Sequence, residues 1–347
     1  MIQTTATTTE WTAYASQHAS AFACAPAWLD LLRNVYGFTV VPLTATNAAG
    51  EITGFLPLCE LHSPLLGRRL VSVPFSDHAP LLADDDASAR ALITQAVALA
   101  DERQARYLEL RTGQHAALAA RSDMATSDLY VRWLVALSAN PDSVWSGLRK
   151  PVQRQVKKAQ KHGVTVRQAE TRADIDAYYH LHLLTRCRKH GMPAQPRRYF
   201  HALWDTFAES GALTVLLAEY EGNVIAGMVL LASGDTMRYA YGASDERYLQ
   251  LGPNNLLMWE AIQRGGARGY TMLDLGRTAR DNEGLMNFKR GWGAVEEPLS
   301  YYYYPQMQGL ATTSERSWKY QLATSCWRRL PLPVAERVGG SLYKHLG

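Results

Sequence analysis

The chain has 347 residues, of which 47% are hydrophobic and 20% are charged, and these values are ordinary for a globular protein. Its 36 basic and 32 acidic residues give a formal charge of +4, which is too small to indicate a nucleic-acid-binding protein, so DNA is not expected as a partner. The four cysteines, Cys24, Cys59, Cys187 and Cys326, show no CxxC spacing, so neither a zinc site nor a disulfide framework is indicated, and no metal is predicted.

The length suits two domains, because one domain usually has roughly 100 to 200 residues. The start, MIQTTATTTEW, lacks a basic segment followed by an apolar core, and no run of about 18 apolar residues occurs. We therefore expect neither a secretory signal nor a membrane-spanning helix. The expected location is the cytoplasm, with peripheral contact on the inner face of the membrane left open.

The sequence pattern of the first half of the chain predicts a helix, a hairpin, a strand, a helix and a strand. In order these are PAWLDLLRNVYGF, VVPLTATNAAGEITGFLPLCEL with its turn at Gly50-Glu51, RRLVSVPFSDHAPLLA, ASARALITQAVALADERQA and RYLELR, followed by a last strand in DLYVRWLVALS. Period-two alternation of apolar residues predicts the strands, and helical spacing predicts the helices.

The second half repeats this order after a helix, SVWSGLRKPVQRQVKKAQKHG, a strand, VTVRQAE, and two further helices. Turns at Gly222-Asn223 and Gly234-Asp235 predict three antiparallel strands, because these pairs supply the positive φ that hairpins need. Pro253 suits the first position of the next helix, and YTMLDLG occupies the position that RYLELR has in the first half. A repeated unit of this length indicates two similar domains in tandem, and its order of elements is typical of an acyl-transfer fold.

The predicted fold is therefore α/β (α+β), with tandem acyltransferase-like domains that each have a mixed, mostly antiparallel sheet flanked by helices. The expected boundaries are residues 1–138 for the first domain, 139–311 for the second and 312–347 for an amphipathic C-terminal tail. The tail contains WRRLPLPVAERVGGSLYKHL, which could lie on a membrane surface or dock against the protein itself. The run from Tyr301 to Tyr304 predicts alternating exposed and buried positions in a final strand.

Two groups of cations could bind phosphate. The first follows helical spacing along one face of the helix that opens domain two: Lys150, Arg154, Lys157, Lys158 and Lys161. A solvated amphipathic helix between the domains is the alternative. The second group includes Arg186 and Arg188 at the end of the next helix, where guanidinium groups could grip phosphate or simply complement the helix dipole.

The bend ERYLQLGPNN, with Arg247, Gly252 and Asn254, precedes the helix at Pro253. Backbone amides at such a helix N-terminus could bind a pyrophosphate. The bend has only one glycine, so a plain helix entry is the alternative.

The segment NFKRGWG follows the closing strand of domain two and carries Phe288 and Lys289. A lysine there could stabilise an oxyanion or a leaving alkoxide in acyl transfer. Tyr241, on the central strand, could face a cleft or serve the core with one hydrogen bond. Asp77 and His78 could form an acid/base pair at the equivalent place in domain one, although adjacent residues on a strand point to opposite faces.

Taken together, LRKPVQRQVKKAQKHGVTVRQAE, YYHLHLLTRCRKHG, EGNVIAG, the stretch from YAYGASDERYLQLGPNN to YTMLDLGR, and NFKRGWG resemble the FemAB-like proteins of the Gcn5-related N-acetyltransferase (GNAT) superfamily. GEITGFLPL, LLGRRLVSVPFSDHAPLL and RYLELR are similar to the first domain of the FemAB-related proteins associated with exosortase and exopolysaccharide loci. The resemblance covers roughly residues 20 to 305.

The resemblance implies a transferase with two acyltransferase-like domains around a cleft. Well-studied members take an amino acid from aminoacyl-tRNA and add it to an amine of a peptidoglycan precursor. Phe288 and Lys289 match the family's Phe-Lys pair, which implies that Lys289 stabilises developing negative charge. Arg186 or Arg188 matches a helix arginine that contacts precursor phosphates, and Tyr241 matches an aromatic residue of the central strand.

Two departures from the family pattern bear on the substrates. No long helical tRNA-binding insertion is visible, and Asp77-His78-Ala79 replaces the usual YGG. The leading hypothesis is an acyltransferase acting on an amine of an envelope or exopolysaccharide precursor, with aminoacyl-tRNA as donor. The alternatives are an acyl-CoA-dependent N-acyltransferase and a non-catalytic component of a polysaccharide assembly complex. No further cofactor is predicted.

Overall fold

The computed structural model describes residues 2–3, 8–18, 22–64, 67–306, 324–325 and 327–345. The helices are α1 (Thr8–Gln17), α2 (Pro26–Tyr36), α3 (Asp86–Glu102), α4 (Ala116–Ala119), α5 (Pro141–Gly147), α6 (Lys150–Lys161), α7 (Arg172–Leu183), α8 (Arg197–Phe207), α9 (Pro253–Ala267), α10 (Glu283–Gly291) and α11 (Leu332–Tyr343). Two 3-10 helices span Phe22–Cys24 and Glu246–Leu251, and a π-helix spans Leu184–Lys189.

The strands confirm the mixed α/β prediction. They are β1 (Ile2–Gln3), β2 (Thr39–Thr46), β3 (Ile52–Ser63), β4 (Gly67–Val71), β5 (Leu82–Ala83), β6 (Tyr107–Leu110), β7 (Ala125–Ala136), β8 (Thr165–Gln168), β9 (Leu213–Tyr220), β10 (Asn223–Ser233), β11 (Thr236–Ser244), β12 (Met272–Ala279) and β13 (Val295–Tyr304).

The chain divides into two compact units. The first comprises the described parts of Met1–Val131, Pro298–Thr313 and Lys344–Gly347, and the second those of Arg132–Glu297 and Ser314–Tyr343. The chain therefore enters the second unit within β7 and returns to the first within β13.

The first unit is built on the strand order β1-β2-β3-β4-β6-β13. Strands β2, β3 and β4 are antiparallel neighbours, and β6 then pairs parallel to β4. Helix α3 packs its apolar face, including Leu92 and Ala96, against Leu56 and Leu108 of the sheet, and all four side chains are fully buried. Parallel pairing of β6 requires the crossover that α3 provides.

The second unit repeats this plan. Its strand order is β12-β11-β10-β9-β8, where β9, β10 and β11 are antiparallel and β12 pairs parallel to β11 after α9. The predicted turns are confirmed, because Tyr220 pairs with Asn223 and Ser233 with Thr236 across them. Each unit thus has two hairpins, a helix and a parallel closing strand, so the tandem GNAT-like prediction is confirmed.

Three local predictions were wrong. The predicted strand RRLVSVPFSDHAPLLA breaks after Val71, because Val73 and Phe75 have φ of 52° and 62°, which extended strands do not adopt. The predicted basic helix begins at Lys150, since residues 141–147 form α5 separately. The predicted alternation at Tyr301 to Tyr304 is absent, because Tyr301, Tyr302 and Tyr303 are all buried.

Candidate active site

Lys289 is a buried cation held by backbone carbonyls in the second unit. Its side chain is only 5% exposed, and its Nζ donates to the carbonyl oxygens of Gly276 at 2.9 Å and Arg277 at 3.1 Å. Both carbonyls belong to β12, whereas Lys289 lies in α10, which Asn282 caps by accepting from the Leu285 amide at 3.1 Å. The two carbonyl bonds fix the direction of the ammonium.

The turn that presents these carbonyls is itself braced by a partly buried ion pair. Gly276 has φ of 72°, a conformation that glycine adopts without a steric penalty. Its amide donates to Oδ1 of Asp274 at 2.7 Å, and Oδ2 of Asp274 accepts from Nε of Arg132 at 2.9 Å. Neither Asp274 nor Arg132 was predicted from the sequence, although an Asp-Leu-Gly order is typical of a carboxylate that accepts from the backbone amide two residues further on.

Phe288 lies beside Lys289 but faces the surface. Its ring is 39% exposed and meets the buried ring of Trp292 edge-on, with 6.4 Å between centroids. The segment NFKRGWG was predicted as a loop, but its residues 287–291 belong to α10. The helix is explained by the Asn282 cap and by apolar residues at helical spacing, and it directs Lys289 back to the strand.

Tyr241 belongs to a cluster of aromatic side chains. Its hydroxyl lies 2.7 Å from that of Tyr199, and its ring meets Phe200 and His182 edge-on at 5.7 and 6.1 Å. The register of β10 with β11 shifts between Val229 and Leu230, opposite Tyr241. A bulge of this kind turns side chains out of the regular alternation and is common beside active sites.

His182 is the buried titratable group of this cluster. Its Nε2 lies 2.7 Å from Oε1 of Gln195, while its Nδ1 and the Tyr178 hydroxyl are buried without a hydrogen-bond partner in the described part of the chain. Burial, reinforced by the nearby charge of Arg186, lowers the pKa of His182 to about 3. The hydrogen bond to Gln195 acts in the other direction and raises this pKa, but by less. The ring is therefore neutral at physiological pH.

Arg186 and Arg188 lie in the π-helix that extends α7. Nε of Arg186 donates to the Pro193 carbonyl at 3.2 Å, and Arg188 donates to the Arg328 carbonyl. Neither guanidinium forms an ion pair with an acidic side chain in the described ranges. Thr185, in the same segment, accepts from the Ser244 amide at 3.0 Å, so the π-helix is tied to the end of β11.

The bend after β11 carries three other predicted substrate residues, Arg247, Gly252 and Asn254, and each makes different contacts. Arg247 binds the carboxylate of Asp245 with its guanidinium, at 2.6 Å for the shortest contact, which offsets its charge and lowers the pKa of Asp245. Asn254 donates weakly to Ser244 at 3.4 Å. Gly252 has φ of 76°, and a Cβ there would lie 3.1 Å from the Gln155 carbonyl of α6. Close packing of α6 against the start of α9 therefore requires this glycine.

The predicted basic face of α6 is exposed. Its cations, including Arg154 and Lys157, are exposed while Val152, Val156 and Ala159 are buried. Nζ of Lys157 lies 5.9 Å from the centroid of the Trp145 ring. No ion pair joins this face to an acidic side chain in the part of the chain that the structure describes, so its positive charge remains available to an anion.

Asp77 and His78 lie in the first unit, in the loop after β4. The backbone carbonyl of Asp77 accepts from the Tyr301 hydroxyl at 2.6 Å, and Nε2 of His78 lies 3.1 Å from the Thr112 carbonyl. Arg111 braces the loop by donating to the Ser76 carbonyl at 3.2 Å. Because a carbonyl can only accept, Nε2 of His78 donates in this contact.

The structure does not bring every predicted residue into one contact network. Within the second unit, Lys289 donates to carbonyls of β12, whereas Tyr241 contacts side chains of α7 and α8. Gly252 packs against α6. Across the described ranges no cluster of histidine, cysteine and carboxylate side chains could hold a metal ion, and no described helix is long and apolar enough to cross a membrane.

Comparison with known sequences identifies part of the second unit. Residues 146–290 match the acetyltransferase (GNAT) domain family. A lipid II:glycine glycyltransferase from Staphylococcus epidermidis is 34% identical over 82 residues, which are 22% of this chain and 20% of that protein. The enzyme of the same name from Staphylococcus saprophyticus is 33% identical over 79 residues, or 21% and 19% of the two chains. The chain thus matches about a fifth of the length of these relatives.

Solved structures match over most of the chain. FemX has a TM-score of 0.70 at 17% identity, covering 92% of this chain and 99% of that one. The C-terminal domain of a putative lysylphosphatidylglycerol synthetase from Agrobacterium fabrum has a TM-score of 0.58 at 14% identity, covering 87% and 93%. At these identities the matches establish the fold. The domain match assigns residues 146–290 to the GNAT domain family, and the relatives and the shared fold support the FemAB-like resemblance.

Proposed function

We propose that the protein is an acyltransferase that moves an aminoacyl or acyl group onto an amine of a cell-envelope or exopolysaccharide precursor. The observation that carries the proposal is the buried ammonium of Lys289, which two carbonyls of β12 hold at 2.9 and 3.1 Å. The GNAT domain match over residues 146–290 and the glycyltransferase relatives support this class of reaction.

The proposed step is attack of an acceptor amine on the carbonyl carbon of the donor. The new C–N bond forms as the C–O bond of an aminoacyl ester breaks, and the proton lost by the amine goes to the leaving oxygen. Lys289 would donate to the oxyanion or to that oxygen, because a fixed buried donor stabilises charge without reorganising. Asp77 and His78 stay candidates for carrying the proton, because a histidine beside an aspartate can act as an acid/base pair.

The donor would bring phosphate to the second unit. The exposed cations of α6, including Arg154 and Lys157, lack acidic partners in the described chain, and α6 packs on the start of α9 at Gly252. Arg186 and Arg188 would add charge for the phosphates of the precursor. Arg247 is a weaker candidate because Asp245 offsets it. Tyr241 and Asn254 would contact the transferred group or the donor.

Acyl-CoA remains the second candidate donor because Gly252 keeps a positive φ and α9 begins without a side-chain cap, and a pyrophosphate site uses the backbone amides of such a helix start. We also propose that the protein contacts the inner face of the membrane through its C-terminal segment.

The first prediction tests Lys289 directly. Transfer of labelled glycine from glycyl-tRNA to lipid II should fall by about two to three orders of magnitude in Lys289→Met, because this variant keeps the apolar stem but removes the N–H donors. The same comparison with labelled acetyl-CoA identifies the donor. Initial rates and bound donor should both be measured, so that loss of binding is separated from loss of turnover.

Arg290→Gln is the matched control, because Arg290 is the next cation of α10 but pairs with Glu296 at 3.2 Å instead of the β12 carbonyls. Its turnover should stay near that of the parent chain. Equal turnover in Lys289→Met and the parent chain would remove Lys289 from the mechanism. No transfer from either donor, together with a tight complex with a membrane synthase, would favour the non-catalytic alternative.

A further inference from the structure

The C-terminal helix α11 has one face that packs on the second unit. Ala335 and Gly339 are buried on that face, and a Cβ on Gly339 would lie 3.3 Å from the Ala194 amide nitrogen. Glu336 forms an ion pair with Arg197 of α8 at 3.5 Å. This face therefore holds the helix in place, and the carboxylate of Glu336 is paired with Arg197.

A stripe of α11 beside this buried face is apolar and exposed. Val334, Val338 and Leu342 are 45%, 41% and 40% exposed, and their spacing of four residues places them in one stripe. Six large hydrophobic residues are exposed in the described part of the chain, and three of them form this stripe. Such clustering in one short helix separates the stripe from scattered surface apolar residues, which need no explanation.

The charge beside the stripe is positive. Arg337 lies on the helix next to Val334 and Val338, and Arg329 is exposed just before the helix begins. Neither has an ion-pair partner among the residues that the structure describes. A helix with an apolar stripe, unpaired arginines beside it and its acid turned to the protein fits the surface of an anionic bilayer.

We propose that the outer face of α11 docks on an anionic lipid bilayer, with Val334, Val338 and Leu342 in the headgroup boundary and Arg337 and Arg329 at lipid phosphates. A second copy of the chain is a poorer occupant, because a stable dimer buries about 800 Å² on each partner and one three-residue stripe is much smaller. The proposal does not depend on the acyltransferase reaction, since it concerns a different surface.

The test is cosedimentation of the full chain with vesicles. Binding to vesicles of phosphatidylcholine with about one third phosphatidylglycerol should exceed binding to pure phosphatidylcholine, and salt near 1 M should weaken it, because that salt screens charges beyond about 3 Å. The triple variant Val334→Ser, Val338→Ser, Leu342→Ser should bind at least tenfold more weakly. Val338→Leu should bind about fourfold more tightly, because it adds one buried methylene.

Val295→Ser is the matched control, because Val295 is 67% exposed elsewhere in the second unit, and its binding should equal that of the parent chain. Circular dichroism of each variant establishes that it is folded, and the gain expected of Val338→Leu cannot arise from unfolding. Equal vesicle binding by the triple variant and the parent chain would refute the proposal. So would absence of vesicle binding with a stripe-dependent dimer in analytical ultracentrifugation, which would assign the face to a second copy.

Discussion

At the scale of single residues, the second unit buries a charged and a neutral titratable group by different means. Lys289 receives two carbonyl oxygens, which offset the loss of water around its ammonium. His182 receives one amide oxygen, from Gln195, and stands among aromatic rings. The first arrangement stabilises the cation, whereas the second stabilises the neutral ring. Of these two groups, Lys289 is therefore the one we propose to stabilise negative charge.

His182 gives a pH dependence of stability with a defined sign. Its pKa is about 3 in the folded chain and 6.5 in the unfolded reference, so below pH 6.5 the unfolded chain binds the proton first. The stabilisation is complete above pH 6.5 and is lost as the pH falls toward 3. This residue alone should lower the free energy of unfolding by roughly 3 kcal/mol between pH 7 and pH 4.

Urea unfolding at several pH values measures this contribution. His182→Gln should be less stable at pH 7 and should show a flatter pH dependence, because glutamine does not titrate. His162→Gln changes an exposed ring at the end of α6 and should keep the slope of the parent chain. A slope in His182→Gln as steep as that of the parent chain would show that His182 does not carry the effect.

At the scale of elements, hairpins were predictable from sequence and the special segments were not. The Gly222-Asn223 turn is encoded by neighbouring residues, so local pattern sufficed. The π-helix Leu184–Lys189 depends on Thr185 reaching Ser244, which is 59 residues away in sequence. The helix that includes part of NFKRGWG begins with a cap at Asn282, which lies outside that segment. Lys289 was predicted as a candidate, but the carbonyls that hold it come from another element.

Gly252 provides a prediction at the scale of elements. Gly252→Ala should destabilise the chain by more than the roughly 1 kcal/mol of a left-handed alanine, because its Cβ would lie 3.1 Å from the Gln155 carbonyl. Gly222→Ala is a close control, since Gly222 has the same φ of 76° but nothing within 4 Å of its added Cβ. Chemical unfolding of both variants measures the difference. Equal destabilisation would mean that α6 adjusts without cost.

At the scale of the whole molecule, the repeat was predictable but the path of the chain was not. Matching hairpins and closing strands in the two halves suggested tandem units, because each unit is encoded by its own local pattern. The return of residues 298–304 to the first unit depends on pairing with β6, where Tyr302 lies opposite Leu110 and Tyr304 opposite Leu108. The aromatic run shows that a buried strand lies there, but it cannot show which neighbour the strand takes.

This return makes a segment late in the sequence a structural part of the first unit. A chain ending at Glu297 should lose amide-exchange protection in β6 by at least about tenfold relative to a chain ending at Gln306, because β6 loses β13, one of its two hydrogen-bonded neighbours, and Tyr302 leaves the core. The two chains differ only in residues 298–306, so loss of α11 is common to both. Hydrogen exchange with mass spectrometry measures this, with β9 and β10 of the second unit as internal controls. Equal protection of β6 in both chains would show that β13 is dispensable for the first unit, since the remaining strands would then hold that sheet without it.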